Sequence, residues 1–309
     1  MIRIMQDQVC RHVSKYATPS DFRAGVEYVG TFGAWLLMFW TPWWCIPLHA
    51  LLVTRLFIVG VHDTGHMSLF RTARFNDYAL RLTSPLLWMP GMSLWRPGHN
   101  DHHRHSNDLN HSQTSQTAPF TVSQYQAMAW WKQALYRYAT HPFVLLSQTA
   151  PLGMTLVQLI RVATWHEATL QAAVLLLMWS TGTLTRHIVV TCCSGAFGVF
   201  LFHLQHTFPS CVRVKDRDLF ENGYSGSSYL VIPEVLKLFT AGIEYHHIHH
   251  INSRVPFYRL RACHEEAPPG MWSGIQTMTL RDGWDSLKLT LWSESKNRLV
   301  SFEELEKMD

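Results

Sequence analysis

Two long apolar blocks, residues 28–60 and 169–206, constrain this chain more than any other feature of it. Backbone inside hydrocarbon finds no water for its N–H and C=O groups, so such blocks must cross as helices that satisfy those groups internally. The first block is broken by Thr41-Pro42-Trp43-Trp44 and the second near Thr185-Arg186-His187, which makes each a helical hairpin. The halves of the first are about 14 and 16 residues, short of the ~20 a crossing needs, so each must include flanking residues. Of the 26 Lys and Arg, only Arg55 and Arg186 fall within the two blocks. Basic residues concentrate on the cytosolic side. The expected fold is therefore all-α and integral to the membrane, with four transmembrane helices in two hairpins (28–60 and 167–206). A cytosolic segment (61–166) and a cytosolic helical cap (207–309) complete one domain over 1–309.

Segments 80–94 and 143–160 are moderately apolar, but Pro85, Pro90, Pro151 and Gly153 interrupt them, and they read as interfacial or re-entrant pieces. The tail after Pro268 alternates charged and apolar residues, as expected of a soluble helical cap. Residues 1–25 are polar and lack the apolar core and cleavage site of a signal peptide, so insertion is expected to use internal spans. The six Cys show no C-x-x-C pair and read as reduced packing residues. A net charge of +4, without a Lys/Arg block or basic-aromatic stripe, points away from nucleic acid as a partner. Arg55, costly in lipid, is expected to face the cytosolic interior or snorkel.

The 19 His are the compositional anomaly, and they are not scattered. His62 and His66 stand at i and i+4 just past the second expected span, on one helix face, with Gly65 leaving room beside them. His99, His102 and His103 follow at i, i+3 and i+4, and His246, His249 and His250 repeat that spacing. No single strip can surround an ion, so three strips on separate segments imply convergence. Eight imidazoles exceed what one ion takes and suit two. Two zinc ions satisfy the count, but zinc sites favour Cys or about three protein ligands, whereas imidazole-rich sites with open positions suit redox iron. Soluble diiron bundles repeat Glu-x-x-His; here only Glu244 to His247 has that spacing, once. Asp63, Asp101 and Glu244 are placed to accept the second N–H of a ligating imidazole.

At these residues the chain resembles the membrane fatty acid desaturases. His62-Asp63-Thr64-Gly65-His66, His99-Asn100-Asp101-His102-His103 and His246-His247-Ile248-His249-His250 match that family's three histidine boxes in order. The run Asn252-Ser253-Arg254-Val255-Pro256-Phe257-Tyr258 after the third box is similar to the acyl-lipid members, and the resemblance covers roughly residues 30–265. It implies two non-haem irons and O₂ as co-substrate, acting on a fatty acyl lipid in the membrane, with electrons from a separate donor of ferredoxin or cytochrome b5 type. It also implies a ninth ligand, His206 in Gln205-His206-Thr207, for which His203 one turn earlier is the alternative. His105 and His247 depart from the pattern and read as lying behind the ligands or at the surface. His12, His49, His111, His141, His166, His187 and His264 match no box and read as structural or interfacial. Arg254 and Arg259 read equally as head-group contacts or plain surface residues. The same scaffold could hydroxylate or ketolate a lipid or carotenoid, since oxygen rebound competes with loss of the second hydrogen. A His-rich metal transporter would instead carry its ligands within the spans.

Overall fold

The computed structural model describes residues 2–111, 119–161, 164–211, 213–216 and 218–307. The chain is predominantly helical. Among the described residues, three helices are long and apolar enough to cross a membrane: Trp43–Gly65 (23 residues, mean hydropathy 1.8), Pro142–Ile160 (19 residues, 1.5) and Leu184–His206 (23 residues, 1.7). At 1.5 Å per residue, 23 residues reach roughly 34 Å, enough for a hydrocarbon core of about 30 Å. One member of each expected hairpin is thus long by itself. Its neighbour is shorter: Asp21–Leu37, extended by a 3₁₀ turn at Met38–Trp40, precedes Trp43–Gly65, and Trp165–Ser180 precedes Leu184–His206. Gly182, at φ +69°, makes the second of these turns.

Segment 143–160 forms one continuous helix, Pro142–Ile160, with most of its surface facing outward, which corrects the re-entrant reading and is compatible with the interfacial one. Pro151 lacks an N–H and crowds the carbonyl one turn back. Widened π-helical turns at Leu145–Thr149 and Gly153–Val157 flank it and absorb that misfit without ending the helix. Segment 80–94 does not form such a rod. Ala73–Leu86 ends, Trp88 turns the chain at φ +56°, and a π-helical turn at Gly91–Trp95 leads into helix Arg96–His105.

The long helices Trp43–Gly65 and Leu184–His206 pack closely on each other, with Thr54 and Ser194 hydroxyls 2.8 Å apart. Trp35, Val53, Leu56, Leu80, Met89 and Val190 fill the core beside them. Arg55 is buried: its guanidinium donates to Thr31 Oγ1 (2.9 Å) and the Leu238 carbonyl and pairs with Glu27 at 2.5 Å. Arg186 is buried as well, donating to Thr41 Oγ1 (2.7 Å) and His49 Nδ1 (3.2 Å), so it ties one connecting turn to the other hairpin.

The cap is not purely helical, which corrects that expectation. Its strands β4 (Leu291–Ser293) and β5 (Arg298–Val300) are antiparallel and, with β1 (Phe120–Thr121) from the 61–166 segment, form a sheet in the order β1-β4-β5. Strands β2 (Ser228–Val231) and β3 (Gln276–Thr279) pair in parallel. In β3, Met278 points inward between exposed Thr277 and Thr279, a period of two that was legible in the tail but read there as helical. Helices Leu219–Tyr224, His246–Ile251 and Phe257–Glu265 complete the cap over a core containing Leu204, Leu230, Tyr245, Ile248 and Leu260.

Candidate metal centre

The chain brings the nine expected histidines together in two groups. His62, His66, His99, His103 and His249 form one, and His102, His206, His246 and His250 the other; within each group one ring nitrogen per residue lies within 4.8 Å of all the rest. The two triplet strips are each divided between the groups. His99 and His103 join the first group and His102 the second, whereas His246 and His250 join the second and His249 the first. The division follows from 100° per residue: i+4 lies about 40° to one side of i and i+3 about 60° to the other, so a helix wedged between two ions offers them different faces.

Box 1 sits in a π-helical turn, Ile58–His62, followed by Asp63–Gly65. Gly60 and Gly65 are required by contact: a Cβ on Gly60 would meet Thr83 Oγ1 at 2.6 Å, and one on Gly65 would meet the Trp95 ring at 2.3 Å. That ring stacks on His99 (centroids 4.5 Å apart) and lies edge-on to His62 (6.1 Å), locking two strips against each other. The glycines were the sequence signal for this close approach; nothing in the sequence announced the π-helical turns before boxes 1 and 2.

All nine histidines are at most 7% exposed. Burial, with neighbouring imidazoles adding to it, holds His99, His103, His246, His249 and His250 well below the ordinary histidine range, and brings His102 to about 4. They are neutral at pH 7, with a lone pair free for a cation. In the second group His206 Nε2 lies 2.8 Å from His246 Nε2 and 3.2 Å from His102 Nε2; in the first, His103 Nε2 lies 3.0 Å from His249 Nε2 and 3.3 Å from His99 Nε2. One Nε2 facing two others cannot satisfy all three with the protons neutral imidazoles carry. Adjacent imidazole nitrogens at about 2.0–2.1 Å from one ion would be roughly 3 Å apart, which is this spacing. His62 Nε2, His66 Nε2 and His250 Nε2 are buried without a hydrogen-bond partner. The residues therefore fit two metal ions.

Supporting contacts are fewer than the sequence suggested. Asp63 Oδ1 accepts from His62 Nδ1 at 3.0 Å while its Oδ2 accepts the Phe257 N–H at 2.7 Å, joining box 1 to the cap. The Gly226 carbonyl lies 3.3 Å from His206 Nδ1. Asp101 does not support a box imidazole but pairs with His105 Nδ1 at 2.8 Å, because the helix turns it outward. Glu244 is buried against Thr240, whose hydroxyl it accepts at 2.7 Å, and burial raises its carboxyl above the usual range. His203 joins neither group; its Nδ1 donates to the Val199 carbonyl at 3.2 Å. His105 stacks on His111 (3.9 Å), and His247 faces His264. Among the described residues no other histidine joins either group.

A cavity of about 630 Å³ runs from the two groups along Pro142–Ile160, between it and the other two long helices. His62, His99 and His246 face it at one side, with Phe57, Met154 and Phe202 among its apolar lining. Its size and lining are those of a site for an apolar small molecule.

A family model described as fatty acid desaturase matches residues 38–275. The chain is 28% identical to the fatty acid desaturase of Bacillus subtilis, over 96% of this chain and 91% of that one. It is 23% identical to the sn-1 oleoyl-lipid 12-desaturase of Synechocystis sp. (78% of this chain, 75% of that one) and 23% identical to that of Anabaena variabilis (83% and 78%).

Proposed function

The chain belongs to the fatty acid desaturase family, and we propose that it forms a C=C bond in the acyl chain of a membrane lipid, using O₂, two irons held by the nine histidines, and electrons from a separate carrier of ferredoxin or cytochrome b5 type. The observation that carries this reading is the placement of both histidine groups on one apolar cavity. Hydrogen abstraction from an unactivated methylene is beyond any side-chain acid or base, and two bound irons would supply the oxidant for it. His62, His66, His99, His103 and His249 would hold one, and His102, His206, His246 and His250 the other.

The protein's own contribution is aim and orientation. A carbonyl can only accept, so the Gly226 oxygen keeps the proton of His206 on Nδ1 and turns the Nε2 lone pair inward. Asp63 does the same for His62. The cavity wall holds an acyl chain beside His62, His99 and His246, so that one methylene pair stays within contact distance. The buried surroundings exclude water from the reacting carbons. The proposed topology has four crossings, in which Asp21–Leu37 and Trp165–Ser180 use flanking residues, and the histidines lie on the cytosolic side, where the basic residues gather.

Expression of the chain in a host lacking polyunsaturated lipids, with gas chromatography–mass spectrometry of its fatty acids, tests the reaction: a new C=C bond is expected. Hydroxylated products alone would transfer the chain to the hydroxylase branch. The purified protein should carry close to two irons per chain, and stoichiometric zinc without iron-dependent activity would sink the metal assignment.

A further inference from the structure

The reaction proposed above balances as CH₂–CH₂ + O₂ + 2e⁻ + 2H⁺ → CH=CH + 2H₂O, so two electrons must reach ligands that are almost completely buried. We propose that they enter through a stack of rings behind the third histidine box, formed by His247, His264 and Trp272. A one-electron carrier protein is oxidised at the outer end, and one iron is reduced from ferric to ferrous for each electron. This inference rests on the function proposed above.

His247 belongs to neither histidine group, yet it is fully buried and bonded directly into the ligand-bearing helix. His246 of the second group is one peptide bond away, and His249 of the first is the next residue but one, so covalent paths lead from His247 to both. Its ring contacts Tyr229, His264 and Trp272 and no histidine of either group among the described residues. His247 Nε2 lies 3.2 Å from His264 Nδ1, and its ring centroid 5.0 Å from Trp272. Trp272 is nearly parallel to His264 (5.9 Å, 5°), and its Nε1–H donates to the His264 carbonyl at 3.1 Å. Tyr229 covers His264 (4.4 Å, 27°) and stacks in turn on Tyr245 (5.3 Å). His264, Trp272 and Tyr229 are half-buried, so the stack reaches the surface within two residues of the ligand helix. Electron tunnelling falls steeply through empty space and less steeply through bonds and close-packed atoms, and this stack is linked by hydrogen-bond-length contacts from His247 to His264 and from His264 to Trp272. The partly exposed pair His105–Asp101, by contrast, makes no ring contact with a ligand among the described residues, and His105 stacks on His111.

The test mixes the iron-loaded, oxidised protein with a reduced [2Fe–2S] carrier protein in a stopped-flow instrument and follows carrier oxidation, with iron content measured beside it. His264→Leu and Trp272→Leu should slow electron entry by roughly tenfold or more, the low end of what losing a group behind metal ligands costs. Iron per chain should be unchanged, as should product from a single turnover after chemical reduction with dithionite. Trp272→Phe, which keeps a ring, should stay near the wild-type rate. Wild-type rates in both leucine variants would overturn the proposal, as would slowing by His105→Leu instead. Loss of iron in both leucine variants would mark the stack as purely structural and overturn it too. A wild-type protein that accepts electrons but forms no C=C bond after dithionite would count against the proposed reaction, while the entry rates would still judge the stack.

Discussion

The same two helices carry buried histidines at both ends, and the ends behave differently. Near the start of Trp43–Gly65 and of Leu184–His206, His49 and His187 sit among Phe39, Trp35 and Trp88, with ring centroids 4.8–6.2 Å apart. Arg186 donates to His49 from 3.2 Å, placing a fixed positive charge against that imidazole. At the other ends His62 and His206 meet imidazoles from two further segments, the helices Arg96–His105 and His246–Ile251. Burial is common to both ends. What separates them is convergence: lone pairs from several segments aimed at one point make a cation site, whereas two imidazoles packed on aromatic faces beside a guanidinium make a core.

The largest expected effect comes from breaking the convergent end. His66→Ala, His102→Ala or His249→Ala should each lower bound iron and bring product to near background, read by metal analysis and lipid chromatography. Retention of full iron in all three would mean the groups are not the metal site. Next is His206→Ala, which should abolish desaturation while only partly reducing iron, because three imidazoles of its group remain. His203→Ala, bonded to its own helix, should be far milder; an active His206→Ala beside a dead His203→Ala would reverse the assignment.

Asp63→Asn should weaken metal affinity or activity by about 10–100-fold, the usual cost of disturbing an outer partner, without displacing His62. Unchanged affinity in a metal titration would leave Asp63 as merely the anchor for the Phe257 N–H. Metal-free protein should lose stability as pH falls. The His102 imidazole titrates at about 4 when folded and near 6.5 when unfolded, so between those values the unfolded chain binds more protons and acid favours it. Thermal melts of the metal-free protein in detergent should therefore fall from pH 6.5 toward 4, and a flat profile would contradict the burial of the site. Smallest of all, His187→Phe, His111→Ala and His141→Ala should leave iron content unchanged. Loss of iron in any of them, with the fold intact, would erase the distinction between the two ends.

Sequence alone marked eight of the nine histidines the fold gathers, because spacing of i, i+3 and i+4 is a local property of a helix and needs no partner to be read; the ninth, His206, came only from the resemblance to the desaturases, with His203 as its alternative. It also marked the close approach at Gly65 and the apolar character of the long helices at 43–65 and 184–206. The allotment of five histidines to one group and four to the other was decided only by tertiary structure, since it depends on how each helix is rotated against its neighbours. The same holds for Asp63 and Asp101, both candidates in the sequence: helix rotation turns one onto His62 and the other out to His105. Pro151 read as an interruption because local rules weigh proline against a regular α-helix, whereas flanking π-helical turns accommodate it in a continuous rod. The strands of the cap were missed because each is two to four residues long, and so short a stretch becomes a strand only when a distant segment supplies the other half of its hydrogen bonds.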